Sequence, residues 1–200
     1  VTCNKIACAD SLENYMSLKR SSRKYGSPFL FETNVGAGLP IIDTLNNLIA
    51  SGDQVVKIQA VLSGSLNFVF NNFKEGTLFK DVVVQAQKEG YTEPDPKIDL
   101  SGIDVARKIL ILARESGLKI ELKDIENVPF LPKACLDTPD NETFFDSLID
   151  HKDHFEKLLD DARSKNARLK YVAQLENGVA KVGLQEIPEG HDFYNLEGSD

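Results

Sequence analysis

The chain has 200 residues, is 42% hydrophobic and 27% charged, and carries a net charge of −8. That length builds one substantial core or two small ones, and the composition is ordinary for a globular protein. The acidic balance argues against general nucleic-acid or membrane-surface binding, and no apolar run reaches the roughly 20 residues of a membrane span.

In chain order, Val1-Thr2-Cys3 reads as a strand entering a loop. Residues 9–25 predict a helix with Leu12, Tyr15, Met16 and Leu18 on its apolar face and basic residues at its end, where cations suit the dipole. Residues 29–35 read as a buried strand. Gly36-Ala37-Gly38-Leu39-Pro40 predicts a tight turn, with Pro40 suited to the first turn of a helix reaching Ala50. Residues 55–62 predict a second strand, and Ser63-Gly64-Ser65 opens a helix rich in Phe and Asn. A helix over 78–88 ends at Gly90. From Gly90 to Lys108 a proline-stiffened acidic loop runs into a helix that reaches about Ser116 and is apolar on nearly every side, hence buried. Residues 118–139, with three prolines, read as irregular and are the place where a subdomain boundary would fall. A charged helix pair spans 142–164, and residues 168–175 and 179–187 form a hairpin about Asn177-Gly178. Helices and strands alternate and end in a hairpin, which predicts an α+β fold, a mixed sheet covered by helices, without a separate second domain. The chain starts inside an element and stops at Gly198-Ser199-Asp200 with no closing element, as a piece of a longer protein would.

Several residue groups carry chemistry. Asp104 and Lys108 lie four apart on the apolar helix and so share a face, and buried charges are costly unless paired or kept for chemistry. Glu93 and Asp99 stand just upstream. Gly36-x-Gly38 resembles the start of a dinucleotide fingerprint, with Asp53 near the distance of a ribose-binding acid, but Ile41 takes the place of the third glycine. The better reading is a turn of backbone carbonyls beside Glu32, suited to a monovalent or calcium-like cation, or a purely structural turn. Ser63-Gly64-Ser65 reads either as an anion cradle or as simple capping by Ser63. Cys3, Cys8 and Cys135 lack Cys-x-x-Cys spacing and suit a reducing compartment, the cytoplasm. His151 and His154, beside Asp153, sit on a charged helix face and read as solvated rather than as a metal pair.

Taken together these segments resemble homoserine dehydrogenase, most closely the dehydrogenase portion of the bifunctional aspartokinase/homoserine dehydrogenases. The blocks that carry the resemblance are residues 1–5 (VTCNK), 32–41 (ETNVGAGLPI), 62–68 (LSGSLNF) and the long 90–108 motif. The resemblance implies interconversion of L-aspartate 4-semialdehyde and L-homoserine with NADP or NAD, in threonine and methionine biosynthesis. It assigns proton transfer to Lys5 and Lys108, with Asp104 as partner of Lys108. It places Glu93 on the substrate ammonium, Asp99, Tyr91 and Ser65 in the substrate pocket, and Gly64 and Ser63 on the nicotinamide side. It gives Glu32 and the carbonyls of Val35, Ala37 and Leu39 a sodium or potassium ion. Residues 1–200 then make up the substrate-binding, catalytic and dimerisation domain, a homodimer or higher homo-oligomer with the Rossmann cofactor domain largely absent. Ile98 stands where many members carry an acid. The reading from another class is a non-catalytic dimerisation or regulatory module. The joint presence of Lys5, Glu93, Asp104 and Lys108 speaks for the enzyme.

Overall fold

The computed structural model describes residues 1–198; the expected open end at Ser199-Asp200 lies outside the described residues. A single turn, α1 (Ile6–Ala9), precedes α2 (Leu12–Tyr25). The expected start at Ala9 moves to Leu12 because the Ser11 hydroxyl accepts from Asn14 N, and Gly26 at φ 62° ends the helix. No strand forms over 1–3 or 29–35; Thr2 N donates once to Leu30 O at 2.9 Å. Instead Glu32 is already helical and begins the turn α3 (Thr33–Gly36). Phe31 and Val35 are buried as expected. Their spacing of four puts both on one side of either a strand or a helical turn, so periodicity did not discriminate.

Next come α4 (Ile41–Ala50), β1 (Lys57–Ala60), α5 (Gly64–Asn72) and α6 (Phe79–Lys88); α4 and α6 keep close to their sequence-based spans, α5 opens where expected, and β1 is shorter than the expected 55–62. The acidic loop holds one unexpected helical turn, α7 (Pro96–Leu100), started by Asp95, whose carboxylate accepts from Lys97 N, and by Pro96. Helix α8 (Ile103–Glu115) follows and is buried along nearly its whole length. The stretch expected to be irregular contains a short strand, β2 (Glu126–Val128), and the turn α9 (Lys133–Leu136). Then come α10 (Asn141–Asp150), α11 (Lys152–Ser164), β3 (Ala167–Glu176) and β4 (Val179–Pro188). Asn177 and Gly178 both have positive φ, 51° and 78°, as a tight two-residue hairpin turn requires. The sheet order is β1-β3-β4-β2, with β1 antiparallel to β3 and Ala60 opposite Ala173. A three-residue edge strand such as β2 has little sequence signature of its own and exists through its pairing. The α+β class is as expected.

The described residues form two compact units, each discontinuous in sequence. The first comprises residues 1–62, 105–127 and 173–182. Ile109 to Ala113 of α8 are buried there, as are Tyr15, Phe31, Val35 and Ile42. The second comprises 63–104, 128–172 and 183–198. Its core is aromatic: Phe79 stacks on Phe155 with centroids 4.2 Å apart, and Phe130 meets Phe70 edge-on at 5.1 Å. Each such ring pair adds about 0.5–1.5 kcal/mol beyond the area it buries.

Candidate functional site

In the first unit, Lys5 is the N-cap residue of α1 and half-buried; its carbonyl accepts from Cys8 N at 3.0 Å and Ala9 N at 2.8 Å. Lys108, in the first half of α8, donates from Nζ to Leu62 O at 2.7 Å. Asp104 lies one turn before it on the same helix. Both are half-buried, not buried as the apolar run suggested. The reason is position: Asp104 and Lys108 fall on the one side of α8 where Arg107 also emerges, while the apolar side chains take the rest.

The Gly36–Pro40 turn closes around Glu32. One Glu32 oxygen accepts from Ile42 N at 2.7 Å and the other from Asp43 N at 2.8 Å, so this carboxylate caps α4. A dinucleotide diphosphate would need those same amides and a preceding strand. The carboxylate occupies the first and the second is missing, so the fingerprint reading falls. Ala37 has φ 51°, a left-handed backbone that a non-glycine residue rarely takes. Leu39 O accepts from Ile41 N at 2.9 Å. Among the described residues, no group of three or more His, Cys, Asp or Glu side chains is arranged to hold a metal. His151 Nδ1 lies 2.8 Å from Ser147 O and His154 Nε2 2.8 Å from Phe130 O, so both rings are engaged by backbone. The three cysteines are free thiols, Cys3 exposed and the other two buried.

In the second unit, α5 opens on a chain of hydrogen bonds. Ser63 Oγ accepts from Leu66 N at 3.1 Å, the expected cap. Ser63 and Ser65 hydroxyls are 3.0 Å apart, and Ser65 Oγ donates to Asp99 Oδ1 at 2.9 Å. A hydroxyl has one hydrogen, so Ser63 must donate to Ser65. The other Asp99 oxygen accepts from Glu93 N at 2.9 Å. Asp99 therefore ties the 90–99 loop to the start of α5. Tyr91 adds a second tie, its ring stacked on Phe68 with centroids 4.2 Å apart. The Glu93 side chain remains exposed. Downstream, Gly102 has φ 73° and packs against the Tyr171 ring, leaving no room for a β-carbon.

Two polar clusters escaped the sequence reading. At the end of α8, Arg114 and Glu115 are both buried. Arg114 Nη1 donates to Cys8 O at 2.9 Å and Asp10 O at 2.7 Å, and its Nη2 pairs with Glu121 at 3.0 Å. Glu115 accepts from the Tyr15 hydroxyl, from Lys19 Nζ at 2.9 Å and from Asn46 Nδ2 at 3.1 Å. In the second unit Lys170 is 1% exposed and donates to Asn67 Oδ1, Asn71 Oδ1 and Leu196 O. Two opposite charges directly after the apolar run Ile109–Ala113 were the available signal for the first cluster; the second had none.

The family model for homoserine dehydrogenase matches residues 40–200. The chloroplastic bifunctional aspartokinase/homoserine dehydrogenase 2 of Zea mays is 40% identical over 202 residues, 100% of this chain and 22% of the relative. The homoserine dehydrogenase of Schizosaccharomyces pombe is 38% identical over 207 residues, 100% of this chain and 55% of the relative. The chain thus spans about a quarter of the bifunctional relatives and about half of the monofunctional one. A crystal structure of a Candida auris protein of unknown function superposes with TM-score 0.92 at 35% identity, covering 99% of this chain and 57% of that one. A hyperthermophilic archaeal homoserine dehydrogenase in complex with NADPH shares the fold at TM-score 0.67 and 22% identity, covering 97% and 54%. With the family match running through α5, the 90–99 loop, α8 and the hairpin, and whole-chain identities near 40%, the chain belongs to the homoserine dehydrogenase family.

Proposed function

We propose that these residues form the substrate-binding and catalytic part of an enzyme that interconverts L-aspartate 4-semialdehyde and L-homoserine on the route to threonine and methionine. The observation that carries the substrate reading is the Ser63–Ser65–Asp99–Glu93 chain of hydrogen bonds. An amino-acid substrate needs donors for its carboxylate and a carboxylate for its ammonium. The opening amides of α5 offer the donors, and the exposed Glu93 side chain offers the carboxylate. Asp99 and Tyr91 hold the two at a fixed spacing, which is what orientation requires.

A nicotinamide cofactor, NADP or NAD, supplies or accepts the hydride when bound. Gly64, without a side chain, and Ser63, at the start of α5, would line its nicotinamide side. As the aldehyde carbon is reduced, negative charge grows on its oxygen. The Lys5 and Lys108 ammonium groups stabilise that charge and deliver the proton, and in the reverse direction a lysine takes it back. Asp104, one turn before Lys108 on α8, is its partner in this reading. Glu32, with the carbonyls of Val35, Ala37 and Leu39, would hold a sodium or potassium ion; one carboxylate among neutral carbonyls suits a single positive charge, and the left-handed Ala37 is consistent with a backbone bent to that purpose. Three free thiols fit a reducing compartment such as the cytoplasm, and the active species is a homodimer or larger.

The decisive experiment is Lys108→Ala in the complete gene product. Turnover per active site falls about 10²–10⁴-fold, Asp104→Ala costs a comparable factor, and the double variant is little worse than either. Near-normal turnover in folded Lys108→Ala overturns the assignment. Titration calorimetry on residues 1–200 alone shows no micromolar NADPH binding, because the diphosphate has no place at the Glu32-capped turn; sedimentation reports the dimer.

A further inference from the structure

We infer that Arg114 is a positioning residue that holds Lys5 in register with Lys108. This rests on the proton-transfer roles proposed for the two lysines. The turn that carries Lys5 cannot hold itself in place. α1 is four residues long, and an isolated single turn has no stability of its own because nucleation costs more than one hydrogen bond returns. Its geometry must come from outside, and the structure shows from where. Arg114 Nη1 bonds two carbonyls at the end of that turn, Cys8 O and Asp10 O. Nε takes Ile120 O at 3.1 Å, and Nη2 takes Glu121. Glu121 in turn accepts from Leu12 N, the first residue of α2, at 2.9 and 3.0 Å. The guanidinium therefore grips the corner between α1 and α2 from both sides, and its own side chain is 0% exposed.

Arg114 stands on the helix that carries Lys108. Lys108 is fixed to α8 directly, and Lys5 is fixed to α8 through the Cys8 and Asp10 carbonyls. One rigid, buried helix is the common reference for both ammonium groups. A planar fork is needed for this, since it binds three carbonyls and a carboxylate in fixed directions; a lysine at the same place is a single point donor. A misplacement of about 1 Å in a catalytic group costs up to about 10²-fold, so the clamp governs turnover without touching substrate.

The test is Arg114→Lys in the complete gene product, beside Lys5→Ala and the double variant. Arg114→Lys lowers kcat per active site about 10–100-fold and moves KM much less. The solvent isotope effect on kcat rises, because proton delivery becomes slower, and amide exchange at Cys8 and Ala9 accelerates. The double variant is no worse than Lys5→Ala alone. If the two losses multiply, or kcat per active site is unchanged, the inference falls while the roles of the lysines stand. If Lys5→Ala itself turns over normally, the proposed chemistry of Lys5 falls, and this inference with it. Should Arg114→Lys fail to fold, Glu121→Gln loosens the same clamp; a smaller drop of about 3–10-fold, again not additive with Lys5→Ala, is expected, and no drop overturns the inference.

Discussion

The end of α8 in the first unit and Lys170 in the second solve the same problem in opposite ways. Both bury full charges. Glu115, with its side chain 1% exposed, is matched by the Lys19 ammonium and further bonded by Tyr15 and Asn46. Arg114 is matched by Glu121. Lys170 donates instead to neutral oxygens, two from asparagine side chains and one from the backbone. Burial, and then the nearby Arg168 charge, push its pKa below the usual lysine range, with Glu197 opposing weakly. The dipoles are not idle. Asn67 Nδ2 donates to Gly198 O at 2.6 Å and Asn71 Nδ2 to Leu196 O at 3.3 Å, so Lys170 and the two asparagines lace the 196–198 segment onto α5. A compensated charge locks its neighbours but punishes the loss of any member. A charge held by dipoles tolerates removal, because what it leaves behind is neutral.

The largest consequence is for Glu115→Ala. It strands the Tyr15 hydroxyl and deprives Lys19 of its counter-charge, and urea unfolding is expected to show a loss of about 3 kcal/mol. Lys19 is 29% exposed and regains some water, which keeps the figure from rising further. A loss below about 1 kcal/mol would erase the contrast between the two clusters.

The next effect is a difference of sign with pH. Burial pushes the Cys8 thiol up to about 11 from 9.0, with an Asn34 hydrogen bond opposing, and burial and Glu115 both raise the Tyr15 phenol. Groups with raised folded pKa values contribute stability that is complete below their unfolded values and is lost as pH climbs through the folded ones. The first unit therefore weakens between about pH 9 and 11, by about 2 kcal/mol for Cys8 alone. Lys170, with a lowered folded pKa, behaves oppositely: its burden is present at neutral pH and is relieved as pH rises through its folded value. Unfolding curves of Cys8→Ala across that range should be flatter than those of the wild type; an unchanged slope would show that Cys8 does not titrate as its burial demands.

The smallest effect is that of Lys170→Met at neutral pH, about 1 kcal/mol, since the variant removes a penalised charge and leaves only neutral acceptors behind. Its deficit should widen toward alkaline pH, where the wild type gains and the variant does not. A cost equal to that of Glu115→Ala would mean the dipoles are worth as much as an ion pair.

Local chemistry was legible in the sequence. The Asn177-Gly178 hairpin, the Ser63 cap that opens α5, the burial of α8 and the spans of α4 and α6 depend on residues within a turn or two of one another, so periodicity and turn residues suffice. The family, too, was legible, because its motifs are short and contiguous, and the match over residues 40–200 bears it out. What the chain could not announce are links between distant segments. Ser65 meets Asp99 across 34 positions, Tyr15 meets Glu115 across 100 and Lys170 meets Asn67 across 103. β2 exists through its place at the sheet edge, and residues 29–35 carry a spacing that strand and helical turn satisfy equally. The same limit applies to charge. Sequence placed Asp104 and Lys108 on one face of α8, but which charges of that helix end up buried was set by tertiary packing, which left those two half-exposed and enclosed Arg114 and Glu115 instead. A side chain's cost of desolvation depends on everything packed around it, and that surrounding is assembled from segments a hundred residues away.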